Sequence, residues 1–284
     1  MSDLIQIEGD FRAPRNLHSE AKGSIHNDAV ASKLGFKGGT VPGSIHMDQF
    51  VPMLVEAFGN EWFERGDLSL YFTQATVDNE RVRALLQGGL HRVRLSMVNE
   101  AGAMICEGTA SIARPDLGSE LMKRMEMQEP AAPGRMRILG DIRIGDEHRD
   151  LEVRITREGL ERCLETITEP MPQYRDDLIL PPSQIIHLAH MTRAAAMEKQ
   201  KPAVGLFGAL EVRQLNGPLR AETDYHARTK ILKFTESPRT ENVWYEVTFE
   251  DRAAKQDAGS MLYCLRFMKG SSPLWSGSDT LAQS

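Results

Sequence analysis

Long apolar runs are missing from this 284-residue chain: none approaches the roughly 20 residues that a membrane-spanning helix requires, and the start, MSDLIQIEGDF, has no basic stretch leading into an apolar core. A cytoplasmic protein with no membrane partner is therefore expected. Cysteine is scarce too. Cys106, Cys163 and Cys264 are odd in number, far apart and set among apolar neighbours, which excludes a disulfide framework and a CxxC metal site and leaves buried thiols. An excess of basic residues is also absent. The formal net charge is −6 with the two signs interspersed, so no broad basic surface is available for a phosphate backbone and nucleic acid is not an expected partner.

What is present is the composition of a folded protein, 41% hydrophobic and 26% charged, and an order of periodicities that occurs twice. In the first half, Gly43 to Phe58 (GSIHMDQFVPMLVEAF) carries apolar residues at helical spacing, with Pro52 as a point of kinking. Alternating stretches follow at Leu68–Ala75, Glu80–Gln87 and Arg92–Val98, then a tight turn over Asn99–Gly102 and a last strand, Ala103–Ala113. The second half repeats the order. Pro181 to Met197 reads as a helix, followed by strands at Gly208–Gln214, Ala221–Lys233, Val243–Glu250 and Ser260–Met268. Between the halves, residues 114–135 include EPAAPG and have linker composition, giving repeats over 1–113 and 136–284.

A helix wrapped by a curved antiparallel sheet leaves an open edge when it occurs once, and two copies joined edge to edge close it. The clefts for a ligand then lie between the repeats. Two unrelated α+β domains are the competing arrangement.

Two segments carry a resemblance to a known family. The stretch IRIGDEHRDLEVRITREGLERCLETITEPMPQY (142–174) is similar to the opening of the MaoC-like (R)-specific enoyl-CoA hydratases: a strand, an Ile-Gly-Asp turn, a second strand, and a helix entered at Thr156-Arg157-Glu158. Where that family has an Asp-x-Asn-Pro-(apolar)-His box, this chain has Glu169-Pro170-Met171-Pro172-Gln173-Tyr174. In the first half, GSIHNDAVASKLGFKGGTVPGSIHM (23–47) resembles the same box, with His26 at the catalytic position and Asp28, Ala31, Gly35, Phe36 and Gly43 in place. The family's Asp is not. Ala21 stands there, with Glu20 one residue further away, and the His-Gly that opens the central helix is Pro42-Gly43.

The resemblance implies an α+β double hotdog and a hydro-lyase of the hydratase or dehydratase type, acting on a coenzyme A thioester without a cofactor or metal. Such a reaction needs a proton acceptor for water, a proton donor for the α-carbon and donors at the thioester oxygen. His26 is the expected acid/base with Asp48 or Glu20 as its carboxylate partner; the alternative is a composite site using Glu169, Tyr174 and His187 of the second repeat. Gly38, Gly39, Gly43 and Ser44 are the substrate-binding residues, because backbone N–H groups at a helix start lack intrahelical partners. Plainer roles stand beside these: a solvated helix position for Asp48, structure for His46, polar-face histidines at 187 and 190, turn glycines, and a wet strand face for Arg228, Lys230 and Lys233. The same scaffold also suits an acyl-CoA thioesterase using Asp48, a lyase or isomerase of a non-thioester, or a ligand binder without catalysis. A homodimer is a further expectation.

Overall fold

Alternation decides the strands. In Arg92–Asn99, Val93, Leu95 and Met97 are buried while Arg92 and Arg94 stay exposed, the period of two that seats one face on a core. The computed structural model describes residues 4–16, 18–113, 116–132 and 134–275. Their ten strands are β1 (Ile5–Glu8), β2 (Asp67–Phe72), β3 (Val82–Gly89), β4 (Arg92–Asn99), β5 (Met104–Ser111), β6 (Glu147–Val153), β7 (Gly205–Gln214), β8 (Tyr225–Glu236), β9 (Thr240–Asp251) and β10 (Gln256–Met268). All belong to one antiparallel sheet in the order β1-β3-β4-β5-β2-β7-β10-β9-β8-β6. The second five retrace the first five about the middle, with β7 answering β2 and β6 answering β1. At that middle, β2 and β7 pair directly, Leu68 opposite Val212 and Leu70 opposite Leu210. Each half's open edge is thereby closed by the other.

The helices are α1 (Asp28–Lys33), α2 (Gly43–Asp48), α3 (Val51–Phe58), α4 (Glu61–Arg65), α5 (Glu120–Met127), α6 (Arg157–Leu164), α7 (Pro172–Asp176), α8 (Pro182–His190) and α9 (Arg193–Ala196). The expected helix over 43–58 is divided into α2 and α3. Pro52 has no N–H to give the Asp48 carbonyl, and the break falls at Gln49-Phe50, whose backbones stay helical. The helix expected over 181–197 divides in the same way, at Met191-Thr192, where the Thr192 hydroxyl donates to the Ala189 carbonyl at 2.7 Å. Helices α2 and α8 pack on each other and share one apolar core with the inward residues of both halves of the sheet, Leu68, Leu70, Leu210 and Tyr263 among them.

Three differences from the sequence reading concern local structure. No strand precedes the Ile144-Gly145-Asp146 turn, where residues 142–146 form turns with Gly145 at φ 88°. The chain's first strand, β1, was not expected. Within 114–135, of which residues 114, 115 and 133 lie outside the described residues, α5 lies across the sheet's outer face. There Leu121 is buried against Ala209, Trp244, Leu262 and Cys264, which explains why β9 and β10 are apolar on both faces.

Candidate active site

A cavity of about 880 Å³ lies between the two halves, walled by the loop around His26, the start of α2, α6, α8 and the beginning of β7. His26 is set by three tethers. Its Nδ1 is 2.7 Å from the Thr40 carbonyl oxygen, its own carbonyl accepts from Asn16 Nδ2 at 2.7 Å, and its N–H donates to Ser24 Oγ at 3.3 Å. Because a carbonyl only accepts, Nδ1 carries the proton and Nε2 is left as the free lone pair on the cavity wall. Burial lowers the pKa of His26 below its ordinary value, only partly opposed by the Thr40 carbonyl, so the ring is neutral at pH 7.

Gly39 and Asp28 hold the loop shape. The Gly39 N–H donates to Asp28 Oδ1 at 2.6 Å, and a Cβ on Gly39 would strike the His26 carbonyl oxygen, so only glycine lets the two loop strands approach. Neither Gly38 nor Gly39 lines the cavity. Gly43 and Ser44 do, and their N–H groups, the first two of α2, donate to no other described residue. The ring of Phe72 covers the Gly43 Cα, with Cζ 2.8 Å from where a Cβ would stand.

The acidic candidates are elsewhere. Asp48 is almost wholly buried between α2 and α8, not on the cavity wall, and its Oδ1 accepts from the Ser183 N–H at 2.9 Å. Asp48 thus caps the start of α8, occupying the donor that corresponds to Ser44 N in α2. Burial, outweighing the bonds from Ser183, pushes its pKa up to about 7. Glu20 is exposed and away from the cavity wall. Glu169 belongs to a separate cleft, paired with Arg12 at 2.6 Å, although burial raises its pKa above the usual range. Tyr174 is fully buried, edge-on to Phe63 with centroids 6.4 Å apart, and also off the wall. The second half's box residues therefore do not meet His26, because α7 turns them toward the core and the opposite cleft.

His187 does face the cavity, and burial lowers its pKa, with His18 the next contributor. His18 stands 5.8 Å from His26, ring to ring. His190, read from the sequence as a polar-face residue, is instead packed beside Phe207 (5.2 Å) and Tyr263 (5.7 Å), and burial drives its pKa down to about 3. His46 is buried, bonded through Nε2 to Thr76 Oγ1 at 2.8 Å. Among the described residues no three His, Cys, Asp or Glu side chains converge as a metal site. Arg228 and Lys233 lie on the outer face, tied to Asp257 and to the Met125 and Gln128 carbonyls.

No protein-family sequence profile matches the chain, and no curated protein sequence does. Solved structures do. A MaoC domain protein described as a dehydratase from Chloroflexus aurantiacus J-10-fl superposes with a TM-score of 0.62 at 10% identity, over 94% of this chain and 95% of that one. A conserved protein of Mycobacterium tuberculosis with a double hotdog fold gives 0.56 at 10% identity, over 94% and 96%. The chain is a double hotdog. A MaoC-like dehydratase gives 0.55 at 12% identity, over 93% and 97%. In this double hotdog the two halves are unequal: α2 opens on the cavity with free N–H groups and a histidine beside it, whereas the start of α8 is capped by Asp48.

Proposed function

We propose that the protein is a hydro-lyase of the enoyl-thioester hydratase or dehydratase type, with His26 as its acid/base. The observation that carries this reading is the fixed tautomer of His26, whose only free nitrogen is on the wall of a cavity that also holds two unpaired backbone N–H groups. In hydration, His26 Nε2 takes one proton from water, the water oxygen bonds to the β-carbon, and the π electrons of the double bond pass to the α-carbon. That carbon takes the proton back from His26, which returns to its neutral form. The negative charge that gathers on the thioester oxygen is met by Gly43 and Ser44 N–H. Dehydration is the same path reversed. The resemblance of residues 23–47 and the similarity to structures described as dehydratases support the same chemistry. A thioesterase built on Asp48 is less well supported, since its carboxylate is engaged at the α8 start.

Replacement of His26 by Ala or Gln is expected to lower kcat for hydration of short enoyl-CoA esters by roughly 10²–10⁴-fold with little change in KM. Wild-type kcat/KM should fall on the acid side with a midpoint below the ordinary histidine value, because only neutral His26 accepts the proton. Unchanged turnover in His26→Ala would overturn the assignment.

A further inference from the structure

The chain carries a formal net charge of −6, yet no Asp or Glu lines the cavity between its halves. Its charged wall residues are arginines, and they differ in how they are satisfied. Arg154 is paired with Glu222 and Asp224, and Arg162 with Glu158. Arg266 alternates with the inward residues Leu265 and Phe267 and lies over the Tyr71 ring on the sheet's outer face, 5.0 Å from its centroid. Arg15 has no ion pair to a described residue but is exposed to solvent. Arg193 is different. It is half-buried on the wall, one turn beyond His190, and has no hydrogen bond or ion pair to any described residue through its guanidinium. A guanidinium without a counter-charge, on the wall of a cavity that has no carboxylate of its own, is available to an anion that enters.

The surroundings fit an anion. A Cβ at Gly205 would come within 3.1 Å of Arg193 Nη2, so the glycine keeps open the space that the guanidinium occupies. Two further polar atoms nearby are buried without partners, His190 Nε2 and the Tyr245 hydroxyl, and both side chains feel the Arg193 charge. The His190 ring packs in one aromatic cluster with Phe207 and Tyr263, and Tyr245 is stacked on Tyr263 at 4.7 Å. His26, His190 and Arg193 all line this one cavity.

We propose that Arg193 is a specificity-determining residue that binds a carboxylate at the far end of the acyl group, so that the substrate is a monothioester of a dicarboxylic acid. This rests on the hydro-lyase reading for its thioester and deepens it by naming the acyl class. A planar carboxylate suits the forked donors of a guanidinium, and an alkyl acyl group of the same length would leave that charge unpaired.

The test compares acyl groups of equal length on the same coenzyme A. Hydration of the coenzyme A monothioesters of fumarate and glutaconate is measured against crotonyl-CoA and 2-pentenoyl-CoA, with wild type, Arg193→Met and Arg193→Lys. Wild type is expected to prefer the carboxylated esters by about 100-fold in kcat/KM, the methionine variant to lose that factor on those esters only, and the lysine variant to keep part of it. Equal losses on both ester types in Arg193→Met would mean that the arginine meets the coenzyme's phosphates, and would overturn the proposal. So would a wild-type preference for the alkyl esters. Calorimetry with succinyl-CoA against butyryl-CoA needs no turnover: a preference for succinyl-CoA that Arg193→Met abolishes, in a protein that hydrates nothing, would sink the hydro-lyase reading and leave this one standing. Equal affinity for the two would sink this one even if hydration is observed.

Discussion

At the scale of single residues, a carboxylate that sequence reading places beside a catalytic histidine is a structural cap. Asp48 is one residue in a helix, and its neighbours in sequence do not reveal that the start of α8, 135 positions away, docks on its oxygen. Its titration gives a direct check. The folded pKa of about 7 lies above the unfolded value, so the native state holds the proton that the unfolded chain releases. The contribution is whole below the unfolded pKa near 4 and is lost as pH rises through about 7. Buried His46 and His190, with pKa values near 4 and 3, act in the opposite sense and lose stability as pH falls below the ordinary histidine value. The difference between Asp48→Asn and wild type isolates the aspartate. At pH 8 the variant should be more stable by about 1–3 kcal/mol, several degrees in Tm, with the gap narrowing as pH falls through about 7 and closing only below about pH 4. Turnover should change by no more than a few-fold. A loss of activity as large as that expected for His26→Ala would return Asp48 to the chemistry. The place of His26 on the cavity wall was readable because residues that shape its loop, Asp28 and Gly39, are local in sequence. Arg193 was not, since what marks it is the lack of a partner in three dimensions.

At the scale of elements, periodicity was a sound guide wherever one face is wet, as in β3 and β4, and both helix breaks have local causes in Pro52 and Thr192. Helix α5 escaped it. Its flanking Pro and Gly read as linker, and its packing face is short, with Leu121 alone fully buried. The one local signal was Ser119, whose hydroxyl accepts from Met122 N–H at 3.2 Å as an N-cap. The rest of its anchoring is tertiary: Glu120 N–H donates to Thr109 Oγ1 on β5, Leu121 N–H to Ser69 Oγ on β2, and the Ser119 hydroxyl to Glu211 on β7 at 2.5 Å. The helix thus clips together strands from both halves at the seam. Ser119→Ala removes the cap and takes one donor from the buried Glu211 carboxylate, which keeps Arg213. A loss of about 2 kcal/mol in urea unfolding is expected, and a change within 0.5 kcal/mol would show that the clip is not held by that hydroxyl.

At the scale of the whole molecule, the duplicated order of elements and the difference between the two boxes were legible in the sequence, while the capping of α8 by Asp48 was not. That cap arises where the halves join: Asp48 of the first caps α8 of the second, β2 pairs with β7, and the core runs unbroken through both. A half with its partner removed would expose a ten-strand sheet's middle as two edges and leave a buried carboxylate without its donor. The halves should therefore unfold together rather than in turn. The tryptophans report on this separately. Trp62, stacked near Phe58, belongs to the first half, and Trp244, fully buried under α5, to the second. Variants keeping only one of the two, with the others changed to Phe, should give fluorescence transitions in urea with coincident midpoints and slopes. Midpoints that separate by more than their errors would show two cooperative units, and the cavity between the halves would then open before either half unfolds.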